Sequence, residues 1–221
     1  MKILALEFSA AERTAAIVSQ EAGAAAIMLR EARESGSRTI HAFRMIESVL
    51  NEAGIKREEI DQVALGLGPG SYTGIRASIA LAQGWQLARG TPCQGISSVD
   101  RIAEDARAAG LLGNIAIVID AQRNEFYVGR FAISAESVRQ TEPLRLVDPA
   151  TVRQLEDQGF LLVGPEINRA FPAAREIFPR AGTLGRLALV RQHLSAAEEL
   201  EPIYLRETTF VKAPPPRRLT I

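Results

Sequence analysis

A chain of 221 residues can bury a substantial core and fits one large domain or two lobes of about 100 residues each. With 47% hydrophobic and 24% charged residues it reads as globular, which excludes a disordered or fibrous chain. Its 26 basic residues balance 26 acidic ones, so there is no global positive field to draw in nucleic acid or an anionic membrane, and any RNA contact must be local or come from a partner.

Cys93 is the only cysteine, so no intrachain disulfide forms; a reducing compartment is expected, with Cys93 in the core. At the N-terminus Lys2 precedes a short apolar stretch that already contains Glu7, which does not match a signal peptide. In the most apolar helical segment Arg76 and Arg89 enclose twelve uncharged residues, short of the ~20 needed to span a bilayer. The expectation is a cytoplasmic protein with no membrane partner.

In chain order, residues 3–8, 14–19 and 24–29 are short apolar runs separated by turns, and they predict three strands in a meander. Residues 38–53 predict a helix, because Ile40, Phe43, Ile46, Leu50 and Ala53 recur at helical spacing and Gly54 supplies a stop. A strand over 63–67 leads through a glycine loop into a helix over 72–89, followed by a strand at 94–96 and a helix over 98–109. The first part thus reads βββαβα, then βα.

The second half restarts the pattern. Residues 115–120, IAIVID, form an apolar strand ending in an acid, as ILALE does at 3–7. Strands at 125–133 and 144–147 follow, then a helix opened by Asp148 and Pro149, the strand FLLVG, and helices at 167–178 and 184–194. The order of elements is duplicated, which predicts an N-terminal lobe over 1–109 and a smaller lobe over 110–200. Residues 201–221 form a basic, Pro-rich C-terminal segment whose last eight residues are expected to be mobile.

The segment GLGPGSYTG, residues 66–74, carries the strongest local signal. Glycines admit positive φ and close backbone approach, and the N–H groups opening the next helix form an anion site. The candidate contacts for a nucleotide phosphate are Gly68, Gly70, Ser71, Thr73 and, one turn on, Arg76. A purely structural turn is the alternative, because the loop ends in TGIR without the phosphate-loop lysine and GxGxxG spacing fails at Ser71. Glu7 and Asp120 end the two strands that open the halves. They either face one cleft and hold a magnesium nucleotide or accept hydrogen bonds from the hairpins that follow. Arg123 and Glu125 read as a solvated turn.

His41 and His193 lie about 150 residues apart with no CxxC or HxxxH spacing, so a zinc site is not expected. Ser71, Ser97 and Ser98 lack a GxSxG elbow and a local histidine base, and read as capping residues. The helices say more. Over 38–53 the apolar arc, widened by Ala42, Met45 and Val49, exceeds the ~100° needed to cover one sheet. On 72–89 Ala77, Leu81, Gly84 and Ala88 form a seam of small residues at heptad spacing, with Trp85 beside it, over which another helix can approach closely. The predicted partner interface is Ile40, Phe43, Met45, Ile46, Val49, Leu50, Ala77, Leu81, Gly84, Trp85 and Ala88.

LALEFS, the helix around His41, GLGPGSYTGIR, GISSVD, IDAQRNEFYVGRF and PIYLR occur in an order and spacing that resemble the TsaB (YeaZ) family, needed to make threonylcarbamoyladenosine on tRNA. The resemblance implies an α/β fold of the ASKHA (actin, Hsp70, sugar kinase) type with duplicated βββαβα architecture in two lobes. It implies a non-catalytic subunit that pairs with TsaD through the two N-lobe helices, joined by the ATPase TsaE. TsaD transfers threonylcarbamoyl to adenosine 37 of tRNA, and tRNA is reached only through the complex. The HxxxH metal pair of TsaD falls here on Ser98 and Ile102, so no metal is expected. The family's Asp-Thr-Ser at the first strand end is replaced by Glu7, Phe8 and Ser9. The subunit alone is therefore expected to bind no cofactor, with ATP or ADP and magnesium confined to the assembled complex, and to form a homodimer in isolation. The rival reading is a small ASKHA ATPase or phosphotransferase using Glu7, Asp120 and the glycine loop.

Overall fold

The structure is a computed structural model that describes residues 1–21, 23–36, 39–191, 194 and 199–205. Strands β1 (Lys2–Glu7), β2 (Arg13–Gln20) and β3 (Ile27–Glu34) lead to helix α1 (Ala42–Ala53), β4 (Gln62–Gly66), α2 (Tyr72–Arg89), β5 (Cys93–Ile96) and α3 (Ser98–Ala108). The second half runs β6 (Gly113–Asp120), β7 (Phe126–Ile133), β8 (Val138–Val147), α4 (Pro149–Asp157), β9 (Leu161–Gly164), β10 (Arg175–Glu176) and α5 (Ala181–Arg191).

The first sheet has the order β3-β2-β1-β4-β5 and the second β8-β7-β6-β9-β10, so the two halves repeat strand for strand. In each, the opening strand pairs antiparallel with its hairpin partner and parallel with the strand after the first helix. This is a two-lobed, ASKHA-like α/β fold.

β1 and β6 are continuous apolar runs because both of their faces are buried. Leu4 and Leu6 point into the cluster made with α1 and α2, whereas Ile3 and Ala5 meet Ala181, Leu184 and Ala188 of α5. In the second sheet Ile115, Ile117 and Ile119 pack on Val99, Ile102 and Ala106 of α3, and Ala116 and Val118 pack with Val152 and Leu155 of α4. The last helix of each half therefore crosses over: α3 covers the second sheet and α5 the first.

Several expected bounds shift. β3 lies at Ile27–Glu34, because pairing with β2 over Arg13↔Glu34 to Gln20↔Ile27 fixes it, and its outward charges are tolerated on an edge strand. α1 starts at Ala42 after the N-cap His41, which leaves Ile40 outside the helix. The helix expected over 167–178 is a single 3-10 turn (Ile167–Arg169) followed by β10, since Pro172 has no N–H to donate and restricts the residue before it. α5 begins earlier than expected, at Ala181. The first two N–H groups of α5 find side-chain acceptors on the first sheet, Ala181 on Thr14 Oγ1 (2.8 Å) and Gly182 on Glu31 Oε1 (2.8 Å). The mobile tail expected for the last eight residues lies outside the described residues, as does His193. Among the described residues no helix is long and apolar enough to cross a membrane.

Candidate functional site

The glycine loop joins β4 to α2 and is seated on the turn between β1 and β2. A Cβ on Gly70 would stand 2.1 Å from the Ser9 carbonyl oxygen, and one on Gly74 would stand 1.8 Å from that of Phe8. Ser71 N donates to Ser9 O (2.6 Å) and Ser98 N donates to Gly68 O (2.7 Å), while Ser71 Oγ accepts from Gly74 N (3.3 Å) and caps α2. The close approach that the glycines permit is thus made by the chain's own backbone. The Ser71 N–H that a phosphate would use is already engaged.

Glu7 and Asp120 do not share a cleft, which corrects one of the two readings of this pair. Glu7 is fully buried, forms an ion pair with Arg101 of α3, and accepts from Ser9 N at Oε1 (2.7 Å). Arg101 also donates to Ile96 O (2.9 Å) and Ser98 Oγ (3.0 Å). Burial pushes its guanidinium down to about 9, opposed by the charge of Asp105, so it stays charged at neutral pH. Sequence reasoning missed Arg101, yet it left a signal: Ser98, Arg101 and Asp105 place polar groups on the same helix face as Ile102. Asp105 accepts from Thr183 Oγ1 (2.5 Å) and Arg180 N (3.2 Å), tying α3 to the start of α5, and burial pushes its carboxyl up to about 6.

Asp120 is exposed and accepts from Gln122 through the backbone N (2.7 Å) and Nε2 (3.1 Å). It lines a cleft of about 1250 Å³ between the lobes, together with Gly70, Ser71 and Arg76 of the predicted nucleotide set. Glu7, Gly68 and Thr73 do not line it. Arg13, Arg123, Arg169, Tyr72 and Tyr204 do.

The predicted interface divides sharply. Met45, Ile46, Val49 and Leu50 of α1 are buried in the core against the first sheet, so this chain itself covers the wide apolar arc. β3, extending to Glu34, supplies the surface that the sequence reading left to a partner. Of the predicted interface residues on that helix only Phe43 points out, 73% exposed. Ile40 and Trp85 are half-buried against the same core. On α2, Ala77 and Leu81 are half-buried, Gly84 and Ala88 are exposed, and Leu87 beside them is 91% exposed. A Cβ on Gly84 would meet nothing within 4 Å.

At the positions of the TsaD histidines, Ser98 Oγ donates to Ser9 Oγ (2.9 Å) and Ile102 is sealed in the second core. A hydroxyl in use, an alkyl group and the Arg101 cation beside them do not fit a metal. Among the described residues no group of three or more His, Cys, Asp or Glu side chains is placed to hold one.

A two-lobed ASKHA-like chain whose glycine loop is seated on the turn after β1 defines the class. The chain belongs to the family of TsaD, tRNA N6-adenosine threonylcarbamoyltransferase, whose model matches residues 36–200, and within it to the TsaB/YeaZ group. It is 29% identical to the tRNA threonylcarbamoyladenosine biosynthesis protein TsaB of Haemophilus influenzae over 77% of this chain and 80% of the relative. With TsaB of Escherichia coli the identity is 26%, over 77% and 81%. The solved structure of YeaZ from Pseudomonas aeruginosa superposes with a TM-score of 0.78 over 92% of this chain and 99% of that one, at 23% identity.

Proposed function

We propose that this chain is a non-catalytic partner of TsaD in threonylcarbamoyl transfer to adenosine 37 of tRNA, working with TsaE in the cytoplasm. The observation that carries this reading is the seam of α2, where Gly84 and Ala88 are exposed beside a Leu87 left 91% exposed and continue from the half-buried Ala77 and Leu81. Small residues let a second helix approach closely, and a large exposed leucine gains from being covered. Phe43 of α1 flanks the same partner surface, and in isolation that surface pairs two copies of this chain. The chemistry is assigned to TsaD because Ser98, Ile102 and Arg101 leave no metal-binding centre here. Any ATP or ADP with magnesium belongs to the assembled complex. The ATPase or phosphotransferase reading is disfavoured by the burial of Glu7 against Arg101 and by the Ser71 N–H bound to Ser9.

Gly84→Leu fills open space in the chain alone, so the variant keeps its fold and loses co-elution with purified TsaD on gel filtration. Unchanged pairing would sink the seam. In a reconstituted tRNA modification assay with TsaD and TsaE, omitting this chain abolishes product; full modification without it defeats the partner role.

A further inference from the structure

The cleft between the lobes is separate from the α2 seam and has its own chemistry. Among the described residues four arginines line it, Arg13, Arg76, Arg123 and Arg169, against two carboxylates, Asp120 and Glu166. Both carboxylates are engaged, Asp120 by Gln122 and Glu166 by Arg169 at 2.9 Å. In a chain whose charges balance overall, this is a local positive excess.

Arg123 is held out by unusual backbone. Gln122, Arg123 and Asn124 have φ of 63°, 58° and 61°, three successive side-chain-bearing residues in the left-handed region. Such a conformation costs roughly 1–2 kcal/mol per residue and persists only where surrounding bonds enforce it. The paired hydrogen bonds from Gln122 to Asp120 and the bond from Ala121 N to Glu125 O (2.9 Å) enforce it here. Among the described residues, the Arg123 guanidinium has no hydrogen-bond or ion-pair partner, and it is exposed at the cleft. Across the opening, the Arg76 guanidinium lies 4.4 Å from the Tyr72 ring centroid, and Tyr72 stacks on Tyr204 at 5.8 Å with 23° between planes. Both rings stay partly exposed.

Flat aromatic and guanidinium surfaces beside dispersed positive charges are the chemistry that binds bases and phosphodiesters of single strands. A free nucleoside triphosphate is the poorer fit. Its phosphates need backbone N–H groups and a magnesium-holding carboxylate, but Ser71 N is bound to Ser9 O and Glu7 is sealed against Arg101. We propose that the cleft binds a single-stranded RNA segment, with phosphates on Arg76 and Arg123 and a base stacked on the Tyr72–Tyr204 pair. This gives the chain a direct RNA contact that its partner pairing does not supply.

The test is fluorescence anisotropy of the full chain with a labelled oligouridylate about ten nucleotides long, within the usual range of single-strand site sizes. Saturable binding that weakens with salt is expected. Arg76→Gln with Arg123→Gln lowers affinity at least tenfold, Arg123→Gln alone lowers it measurably, and Tyr72→Ala lowers it about 5- to 100-fold. All three side chains are exposed, so an unchanged melting temperature certifies the fold. Gly84→Leu leaves RNA affinity intact, which separates this site from the partner seam. The proposal is overturned if the wild-type chain does not bind, if the double variant binds as well as wild type, or if ADP displaces the strand and marks a mononucleotide site.

Discussion

Arg101 on α3 is ion-paired with Glu7 at the end of β1, and neither side chain has any exposure to solvent. Because α3 packs on the second sheet while β1 is central to the first, the pair fastens the two lobes at their centre. Removing one member strands a buried charge, which typically costs about 3–5 kcal/mol, whereas replacing both with apolar groups is often neutral. Arg101→Leu is therefore expected to lower unfolding free energy in urea by about that amount, and Glu7→Leu with Arg101→Leu to recover most of it. Additive losses in the double variant would contradict the coupling.

Asp105 gives stability a pH dependence of opposite sign to that of an ordinary ion-paired aspartate. Its carboxyl is raised from 3.8 to about 6 by burial, against hydrogen bonds from Thr183 and Arg180 and the charges of Arg101 and Arg180. Between those two pH values the native chain holds a proton that the unfolded chain has lost, so this contribution to stability declines as pH rises and levels off above about 6. The span is on the order of 3 kcal/mol. Urea midpoints at pH 4.5 and 7 should differ between wild type and Asp105→Asn by a term that favours the variant at the higher pH.

Two glycines of one helix should respond oppositely to alanine. Gly74→Ala drives a methyl into the Phe8 carbonyl and is expected to cost about 1–3 kcal/mol or more. Gly84→Ala meets open space and should stabilise the isolated chain by about 0.5–1 kcal/mol through helix propensity. Thermal melts of the two variants check the contrast.

Along α1 the same division holds between core and surface. Ile46→Ala is expected to lose about 2–5 kcal/mol as a cavity in the first core, while Phe43→Ala stays within about 0.5 kcal/mol. A large loss at Phe43 would mean that the chain itself covers the ring.

Cys93 is buried, its Sγ lies 3.7 Å from the carbonyl oxygens of Ala82 and Thr91, and burial pushes its thiol up to about 11. Little thiolate exists at neutral pH. Reaction with a thiol reagent at pH 7.5 should therefore follow global unfolding, and rapid labelling of the native chain would refute the burial.

The sequence by itself determined the order of elements and their duplication. β1 and β6 announce themselves as unbroken apolar runs, the small-residue period of α2 is intrinsic to its composition, and Gly54 stops α1 where expected. These are local properties, set by side-chain periodicity and backbone freedom within a few residues. The tertiary structure decided what each face touches. Met45, Ile46, Val49 and Leu50 proved to be core because β3 extends beneath them, and Gly70 and Gly74 proved to make room for Ser9 and Phe8 rather than for a phosphate. Glu7 was drawn out of the cleft by Arg101, nearly a hundred residues away. No local pattern encodes such pairings, since they depend on which elements the two sheets bring within a few ångströms of one another.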